Sequence, residues 1–258
     1  MQGKVAIVTG SSRGIGRAVA FAFAERGARV LVNSATDVAG GRSVVAEIIN
    51  SGGAAHYAQA DVCDPQQVER MFGEADSVLG PVDVLVNNVG GFTPDASLAG
   101  TTMEHWLHIL QINLLSTVAC SMRAARTMIH CGGSIINTSS AASGGTVSWH
   151  LAKGLDQKSQ EGVMAYSAAK AAVSNFTMAM AKHLAPHVRV NAVAPGFVAT
   201  SDSLPAGAEL EQSWLSHIPL RRAIDPVGLA GSYVHLAESD YLTGMILTAD
   251  AGLMLEQA

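Results

Sequence analysis

A glycine-rich turn between a predicted strand and a predicted helix constrains the fold of this chain more than any other feature. The apolar run Val5–Thr9 leads into residues 10–16, whose glycines follow the pattern Gly-x-x-x-Gly-x-Gly, and a helical pattern continues through Arg26. A second apolar run, Arg29–Asn33, completes a strand–helix–strand unit. In such a unit the backbone N–H groups of the turn and the positive end of the helix bind phosphate, and a Cβ would hold the phosphate off the backbone. We therefore predict a phosphate-binding turn, with a tight turn that binds nothing as the alternative.

The alternation of apolar runs and helical patterns continues along the chain. Further predicted strands are Ala55–Gln59, Val82–Val86, Ser134–Thr138, Val188–Val193 and Met245–Thr248. Their apolar residues are continuous rather than alternating, which is typical of parallel strands that are covered on both faces. The pattern predicts an α/β fold over residues 1–258, namely a single-domain, Rossmann-like, doubly wound parallel sheet of about seven strands with helices on both faces.

Three predicted helices begin with N-terminal signals. Asp64-Pro65 supplies an N-cap and a proline at the first helical position, and Gln67 is placed to complete a capping box. Thr101-x-x-Glu104 is a second box, and Asp225-Pro226 predicts a third helix start.

The composition excludes several classes of protein. Of the 258 residues, 48% are apolar and 14% are charged, so the chain is too apolar to be disordered. The net charge of −5, without a Lys/Arg-rich run, argues against nucleic-acid binding. No apolar stretch is long enough to span a membrane, and the N-terminus lacks the pattern of a signal peptide. We therefore predict a cytoplasmic protein.

Cysteine and histidine spacing predicts neither disulfides nor a metal site. The three cysteines are odd in number and widely spaced, and we interpret them as free thiols: Cys63, Cys120 and Cys131. Two histidine pairs have helical spacing, His105 with His108 and His183 with His187. Neither pair has a cysteine or glutamate in a ligand pattern, so we predict no metal.

Further motifs follow the glycine turn in a characteristic order. They are Asp61-Val62, Asn87-Asn88-Val89-Gly90, Asn113, Ser139-Ser140, Tyr166-x-x-x-Lys170, Asn191, Pro195-Gly196 and Tyr241-Leu242-Thr243-Gly244. In this combination and over essentially its whole length, the chain resembles the short-chain dehydrogenase/reductase family. The resemblance implies a nicotinamide-dependent oxidoreductase of C=O and CH–OH groups. The three residues between the tyrosine and the lysine favour carbonyl chemistry, because divergent enoyl reductases of the family separate the two by six.

Four polar residues form the catalytic set that the resemblance implies. Tyr166 and Lys170 are four positions apart, so they share one face of a helix. A cationic lysine beside a tyrosine, together with the oxidised nicotinamide, favours the phenolate and lowers the tyrosine pKa from its usual value of about 10. By resemblance, Tyr166 protonates the carbonyl oxygen during reduction, and Lys170 also holds the nicotinamide ribose. Ser140 orients the substrate oxygen, with Ser139 as the less favoured serine, and Asn113 anchors a water molecule.

The cofactor preference is predicted from the end of the second strand. NAD enzymes usually carry an acid there to bind the ribose 2′-hydroxyl, but this chain has Ser34, preceded by Asn33. Arg13 in the glycine turn is placed to bind a 2′-phosphate. NADP(H) is therefore favoured, and NAD(H) stays open because Asp37 lies nearby. The predicted cofactor residues are Gly10, Ser12, Arg13, Gly14, Ile15, Gly16, Asn33, Ser34, Asp61, Val62, Asn88, Val89, Gly90, Tyr166, Lys170, Pro195, Gly196, Val198 and Thr200.

Two long segments after predicted strands are candidates for the substrate site. Residues 141–163 form an insertion relative to the family, either a pocket wall or a surface excursion, and residues 197–220 predict an apolar lid. The predicted substrate contacts are Trp149, His150, Phe197 and Trp214. Arg221 and Arg222 are interpreted as a solvated corner rather than an anion site. Ala251 replaces a usual family glycine, which suits the fold if its φ is negative.

The leading hypothesis is NADP(H)-dependent interconversion of a ketone and a secondary alcohol, with Tyr166 as acid and base. The cofactor-binding half would span about 1–140 and the catalytic half about 140–258. The substrate would be a small carbonyl or alcohol, free or carried by a protein as for 3-oxoacyl-carrier-protein reductases. The alternatives are an NAD-dependent dehydrogenase of an alcohol, sugar or cyclic diol, and a catalytically silent NADP-binding partner protein. In family members the helices that correspond to the apolar segments Leu107–Ile129 and Val163–Leu184 pack against neighbouring subunits. The resemblance, together with the low charge content, therefore predicts a homo-oligomer, with a tetramer favoured.

Overall fold

The computed structural model describes residues 1–91, 102–144, 157–200, 212 and 215–255, with residues 157–162 described by their backbone alone. Within these ranges seven parallel strands form one sheet. They are β1 (Val5–Val8), β2 (Arg29–Ser34), β3 (Ala54–Gln59), β4 (Val84–Asn87), β5 (Gly133–Thr138), β6 (Val188–Pro195) and β7 (Ile246–Ala249). All seven predicted strands are confirmed, although β4 starts two residues later and β6 runs further, to Pro195.

Helices follow the strands in alternation. They are α1 (Gly14–Glu25), α2 (Val38–Asn50), α3 (Pro65–Val78), α4 (Met103–Leu110), α5 (Ser116–Cys131), α6 (Gln157–Leu184) and α7 (Pro226–Glu238). A π-helical segment, Gln111–Leu115, joins α4 to α5, and short 3₁₀ helices occupy Ala141–Gly144 and Leu253–Leu255.

The sheet has a hydrophobic core on each face, which explains the continuous apolar runs of its strands. In β1, Ala6 and Val8 pack into the cluster beneath α1, α2 and α7, whereas Val5 and Ile7 pack into the cluster beneath α3, α5 and α6. All four side chains are fully buried. A strand covered on both faces needs an apolar residue at every position, because successive side chains point to opposite faces.

The strand order places a crevice beside the glycine turn. The order is β3-β2-β1-β4-β5-β6-β7, with every neighbouring pair parallel. The direction of winding therefore reverses between β1 and β4. In doubly wound sheets the carboxyl ends of the strands at such a reversal form the ligand-binding crevice.

Helix starts agree with the sequence except in two details. Asp225 accepts hydrogen bonds from the backbone N–H groups of residues 227 and 228, as expected of an N-cap. Asp64 caps α3, but Gln67 Oε1 accepts from the Asp61 N–H rather than from Asp64 itself, so the predicted capping box is incomplete. The cap of α4 is Thr102, whose Oγ1 accepts from a backbone N–H, rather than the predicted Thr101, which lies outside the described residues.

The predicted insertion 141–163 contributes to two helices. Its first four residues form a 3₁₀ helix, and its last residues, from Gln157, extend α6 toward the N-terminus. Residues 145–156 lie outside the described part of the chain, as do 201–211, 213 and 214 of the predicted lid.

Ala251 has a φ of +56°, whereas alanine was expected to suit this position only with a negative φ. A left-handed conformation costs a non-glycine residue about 1–2 kcal/mol, so this alanine is a locally strained replacement for glycine.

Within the described ranges, no helix is long and apolar enough to cross a membrane. No cluster of potential metal ligands occurs among those residues. Cys63, Cys120 and Cys131 are unpaired, as predicted.

Candidate active site

The glycine turn after β1 needs glycine at positions where φ is positive or where another part of the chain packs against the backbone. Gly10 and Gly14 have φ values of +61° and +57°, which favour glycine. Gly16 has no room for a side chain, because a Cβ there would lie 2.4 Å from the Gly10 carbonyl oxygen and 2.6 Å from Asn88 Nδ2. The start of α1 has no side-chain cap and no acidic residue in its first turn. Its positive end is therefore available to a phosphate.

Two asparagines from neighbouring strands brace this turn. Asn88, directly after β4, donates from Nδ2 to the carbonyls of Thr9 and Gly10, both at 3.1 Å. Asn33 in β2 accepts from the Gly10 N–H at 3.3 Å and is fully buried. Its amide also donates to the carbonyls of residues 58 and 60, next to β3. Asn33 thus shapes the turn from within rather than presenting its amide at the surface.

The side-chain contacts at the end of β2 differ in detail from those that the sequence predicted. Ser34 is only 5% exposed, and its Oγ donates to the Asp37 carbonyl at 2.8 Å and bonds the Tyr57 hydroxyl at 2.9 Å. The Asp37 carboxylate caps α2 by accepting from the Gly40 N–H at 3.0 Å. The exposed residues that follow β2 are 35 and 36, and Arg13 is exposed on the neighbouring turn. Thr36, which sequence reasoning missed, therefore offers the accessible hydroxyl at this strand end.

The other predicted cofactor residues of this half lie along the same sheet edge. Asp61 is exposed after β3, and its carboxylate accepts from the Cys63 N–H at 2.9 Å, while Val62 beside it is buried. Ser12 and Ile15 are half-buried in the turn and the first turn of α1. Val89 is half-buried, with its backbone N–H 3.2 Å from Thr9 Oγ1.

Tyr166, Lys170 and Ser140 come together where α6 passes the end of β5. Tyr166 hydrogen-bonds Ser140. Lys170 Nζ donates to the Thr138 carbonyl at 2.9 Å and lies 5.7 Å from the centre of the Tyr166 ring. Lys170 is 2% exposed, whereas Ser140 and Tyr166 are half-buried and thus reach the surface of the site. Ser139 is buried and bonded to α6, which leaves Ser140 as the serine that faces the phenol.

Asn113 lies in the π-helical segment and holds the loop after β4. Its Nδ2 donates to the Gly91 carbonyl at 2.8 Å and to the Ile109 carbonyl at 3.0 Å, and its Oδ1 accepts from the Gly91 N–H at 3.0 Å. A Cβ on Gly90 would lie 2.7 Å from Asn113 Oδ1 and 2.8 Å from Lys170 Nζ. Gly90 therefore lets the loop approach both side chains, and π segments of this kind often mark functional sites.

Burial dominates the electrostatics of the tyrosine and the lysine. It lowers the pKa of Lys170 from 10.5 to about 8, because a low-dielectric environment disfavours the ammonium. It also raises the pKa of Tyr166, and the hydrogen bond with Ser140 opposes only part of that rise. The lysine was expected to lower the tyrosine pKa. In the structure without cofactor the phenol is instead stabilised in its protonated form.

The carboxyl end of β6 completes the site opposite the glycine turn. A Cβ on Gly196 would lie 2.7 Å from the Asp250 Cα, so this glycine allows the segment after β6 to pack against the end of β7. Val198 bridges to Ile224, and Thr200 lies in van der Waals range of the Cβ position of Gly14. Pro195 is the last residue of β6. The predicted residues of β1, β4 and β6 thus line one crevice.

The predicted substrate contacts are mostly outside the described residues. This applies to Trp149, His150 and Trp214. Phe197 is 4% exposed and packs in a small cluster with other apolar residues, Ala141, Ile218 and Leu253. Its role as a substrate contact stays a prediction. Arg221 donates to the Ser216 carbonyl and is exposed, as is Arg222, in agreement with a solvated corner.

A second concavity, about 520 Å³ in volume, lies at the opposite edge of the sheet. Its lining includes Lys4, Asp83, Ser134 and Arg189, near the amino ends of β1, β4, β5 and β6. None of the predicted site residues lines it, and the crevice at the carboxyl ends carries the acid–base groups. We therefore assign the chemistry to the crevice.

The chain is similar over nearly its whole length to known oxidoreductases. Residues 10–254 match the family model described as enoyl-(acyl carrier protein) reductase. The chain is 37% identical to the 3-oxoacyl-[acyl-carrier-protein] reductase of Synechocystis sp., over 98% of this chain and 97% of that protein. It is 36% identical to the Mus musculus protein of the same name, over 98% of each.

A solved structure has the same fold. The crystal structure of a dehydrogenase/reductase from Sinorhizobium meliloti matches with a TM-score of 0.86 and 31% identity, covering 100% of this chain and 96% of that chain. Similarity of this extent, in sequence and in fold, shows that the chain belongs to the short-chain dehydrogenase/reductase family, whose members are oxidoreductases of CH–OH and C=O groups.

Proposed function

We propose that the protein is an NADP(H)-dependent reductase that converts a ketone into a secondary alcohol, with Tyr166 as the proton donor. The observation that carries the proposal is the cluster of Ser140, Tyr166 and Lys170 at the end of β5. The cluster lies across the crevice from the start of α1, which has no side-chain cap. A tyrosine with its ordinary pKa of about 10 is protonated at neutral pH, and burial raises the Tyr166 pKa further. A protonated phenol is the form that reduction requires.

Each residue has a distinct part in this reaction. The nicotinamide supplies the hydride when bound. Ser140 hydrogen-bonds the substrate oxygen together with Tyr166, and the tyrosine delivers its proton to that oxygen as charge develops there. Lys170 holds the nicotinamide ribose and favours the phenolate that remains after proton transfer. Asn113 keeps the loop at Gly90 and Gly91 against the lysine.

The glycine turn fits a dinucleotide pyrophosphate. Gly16 excludes any side chain, and the N-terminus of α1 has neither a side-chain cap nor an acidic residue in its first turn. NADP(H) is preferred in this proposal because the carboxylate of Asp37, three residues beyond β2, is engaged by the start of α2, while Arg13 is exposed in the glycine turn. A 2′-phosphate would meet a cation and an exposed hydroxyl at Thr36.

The substrate is proposed to be a small ketone, free or attached to a carrier protein. Two relatives are named 3-oxoacyl-carrier-protein reductases, and the spacing of Tyr166 and Lys170 favours a carbonyl over a carbon–carbon double bond. A carrier-protein substrate would call for a basic patch at the mouth of the site, for which the candidates are Lys153, Lys158, Arg221 and Arg222. Of these, the two arginines are exposed. Lys153 and the side chain of Lys158 lie outside the described part of the chain.

A homotetramer in the cytoplasm is part of the same proposal. Large apolar side chains are exposed on α5 and α6, including Met122 at 55% and Met178 at 46%. Exposed apolar faces of this kind are typical of subunit interfaces. Three unpaired cysteines suit a reducing compartment.

The function is tested with a panel of ketones, 3-oxoacyl thioesters and alcohols, followed by nicotinamide absorbance with NADPH and NADH side by side. We expect ketone reduction with preference for NADPH, and a loss of about 10²- to 10⁴-fold in Tyr166→Phe, because general acid catalysis contributes on that scale. Tyr166→Phe should still bind NADPH, as measured by fluorescence titration. A clear preference for NADH with polyols would support the dehydrogenase alternative, and wild-type turnover in Tyr166→Phe would refute the assignment.

A further inference from the structure

Ser139, the first residue after β5, is bonded to the backbone of the catalytic lysine. It is 2% exposed, and its Oγ donates to the Lys170 carbonyl at 3.0 Å. The same Oγ lies 2.7 Å from Ser174 Oγ. Because the Ser139 proton goes to the carbonyl, the Ser174 hydroxyl is the donor in the second contact. These two bonds join the end of β5 to the middle of α6.

Three consecutive residues, 138–140, therefore each hold a different group of the site by a hydrogen bond. The Thr138 carbonyl accepts from Lys170 Nζ at 2.9 Å, Ser139 binds the Lys170 carbonyl, and Ser140 bonds Tyr166. Lys170 is thus held at both its backbone and its ammonium group. Any sliding of α6 against β5 changes all three contacts together.

We propose that Ser139 is a positioning residue for the reaction, which acts by fixing the Lys170 carbonyl to the end of β5 and thereby holding Tyr166 at hydrogen-bonding distance from Ser140. The inference rests on the proposed function, since it gives Ser139 a part in the same proton transfer. Ser139 does not touch the substrate, and it exchanges no proton with the reacting groups.

Ser139→Ala is the direct test, and Thr177→Val is its matched control. Thr177 also joins β5 to α6, because its Oγ1 accepts from Asn137 Nδ2 at 2.9 Å, but it lies almost two helical turns beyond Lys170. Both substitutions remove one buried hydroxyl that links the same two elements. A purely structural role would lower the melting temperature of both variants and change nothing else.

For Ser139→Ala we expect kcat of ketone reduction to fall about fivefold to tenfold, the effect of one lost neutral hydrogen bond in the transition state. The cofactor KM should be unchanged. Weakening the Ser140–Tyr166 bond raises the Tyr166 pKa, because that bond lowers it. Tyr166 acts in its protonated form, so the alkaline limb of the pH profile should move upward. Thr177→Val should keep the wild-type kcat and pH profile.

A titration of tyrosinate absorbance tests the same point without substrate or cofactor. Each protein is compared with its own Tyr166→Phe derivative, so that the difference reports Tyr166 alone. The Tyr166 titration should move upward in Ser139→Ala and stay in place in Thr177→Val. Ser139→Cys, which keeps the size with a weaker donor, should give a shift between wild type and Ser139→Ala and serves if the alanine variant does not fold.

The outcomes separate the two proposals. An unchanged Tyr166 titration in both Ser139 variants overturns the positioning role, whatever happens to the melting temperature. A wild-type protein that reduces no ketone with either nicotinamide would count against the proposed function, while the titration would still decide the role of Ser139.

Discussion

The Lys170 side chain is buried, with 2% of the residue exposed, and the reaction proposed here depends on that placement. The Thr138 carbonyl accepts a hydrogen bond from the ammonium, and the centre of the Tyr166 ring lies 5.7 Å from it. Burial lowers its pKa to about 8. The protein therefore keeps a cation at neutral pH at a cost in stability.

This cost predicts how stability depends on pH. The Lys170 pKa is about 8 in the folded protein and 10.5 as the ordinary value, so the unfolded chain binds more protons between these two values. The free energy of unfolding contributed by Lys170 should therefore rise with pH across that window and stay level below and above it.

The measurement compares wild type with Lys170→Met by denaturant unfolding at neutral pH and near pH 10.5. Wild type should gain about 3 kcal/mol relative to the variant over that range. The comparison cancels the other titrating groups, which both proteins share. An equal change in the two proteins would show that burial does not depress the lysine pKa.

At this scale the sequence predicted a set of catalytic side chains but not what holds them. Tyr166 and Lys170 were proposed from the family motif, and the structure brings them to Ser140. The contacts of Thr138 and Ser139 were missed, because a backbone carbonyl leaves no trace in residue identity and because a serine beside Ser140 suggested only a substitute for it.

Among the elements, the glycine turn between β1 and α1 has the strictest steric demand. Gly16 faces the Gly10 carbonyl and Asn88 so closely that any Cβ would overlap them. Gly73 in α3 offers the opposite case, since it is exposed and a Cβ there would meet nothing within 4 Å. Both glycines lie in helices, which makes them a matched pair.

Gly16→Ala should lower the free energy of unfolding by about 1–3 kcal/mol through overpacking and abolish NADPH binding, since the turn must open. Gly73→Ala should raise stability by about 0.5–1 kcal/mol, the difference between glycine and alanine within a helix, and leave binding intact. Thermal unfolding and a fluorescence titration with NADPH measure the two effects. Normal NADPH affinity in Gly16→Ala would mean that the cofactor does not lie on this turn.

Element boundaries were harder to predict than element types. The seven strands were identified because buried parallel strands are apolar at every position. The start of α4 at Thr102 rather than Thr101, and the extension of α6 back to Gln157, were not identified. In each case several adjacent polar residues could begin the helix, and local pattern does not distinguish them.

For the whole molecule, the exposed apolar side chains are the feature that a single chain does not explain. Leu115, Met122 and Ile129 are exposed at intervals of seven residues, so they form one stripe along the π segment and α5. Met164 and Met178 are exposed on α6. We expect a second copy of the chain to cover this face.

Met122→Glu should dissociate the assembly at micromolar concentration, because it would bury a carboxylate without a partner. Light scattering coupled to gel filtration measures the mass. Ile49→Glu is the control, since Ile49 is similarly exposed, at 52%, but lies on α2 away from the stripe. A monomeric wild type would contradict the tetramer, and a tetrameric Met122→Glu would place the interface elsewhere.

The sequence by itself determined the fold class and the order of the elements, because periodicity and glycine turns act over short distances along the chain. Through the family resemblance it also predicted which side chains would react. Only the tertiary structure decided that Asn33 and Ser34 turn inward, that Ala251 adopts a left-handed conformation, and that consecutive residues of β5 and its end hold Lys170 and Tyr166. Those outcomes depend on contacts between segments far apart in sequence, where packing and buried hydrogen bonds, rather than local pattern, set the positions of the atoms.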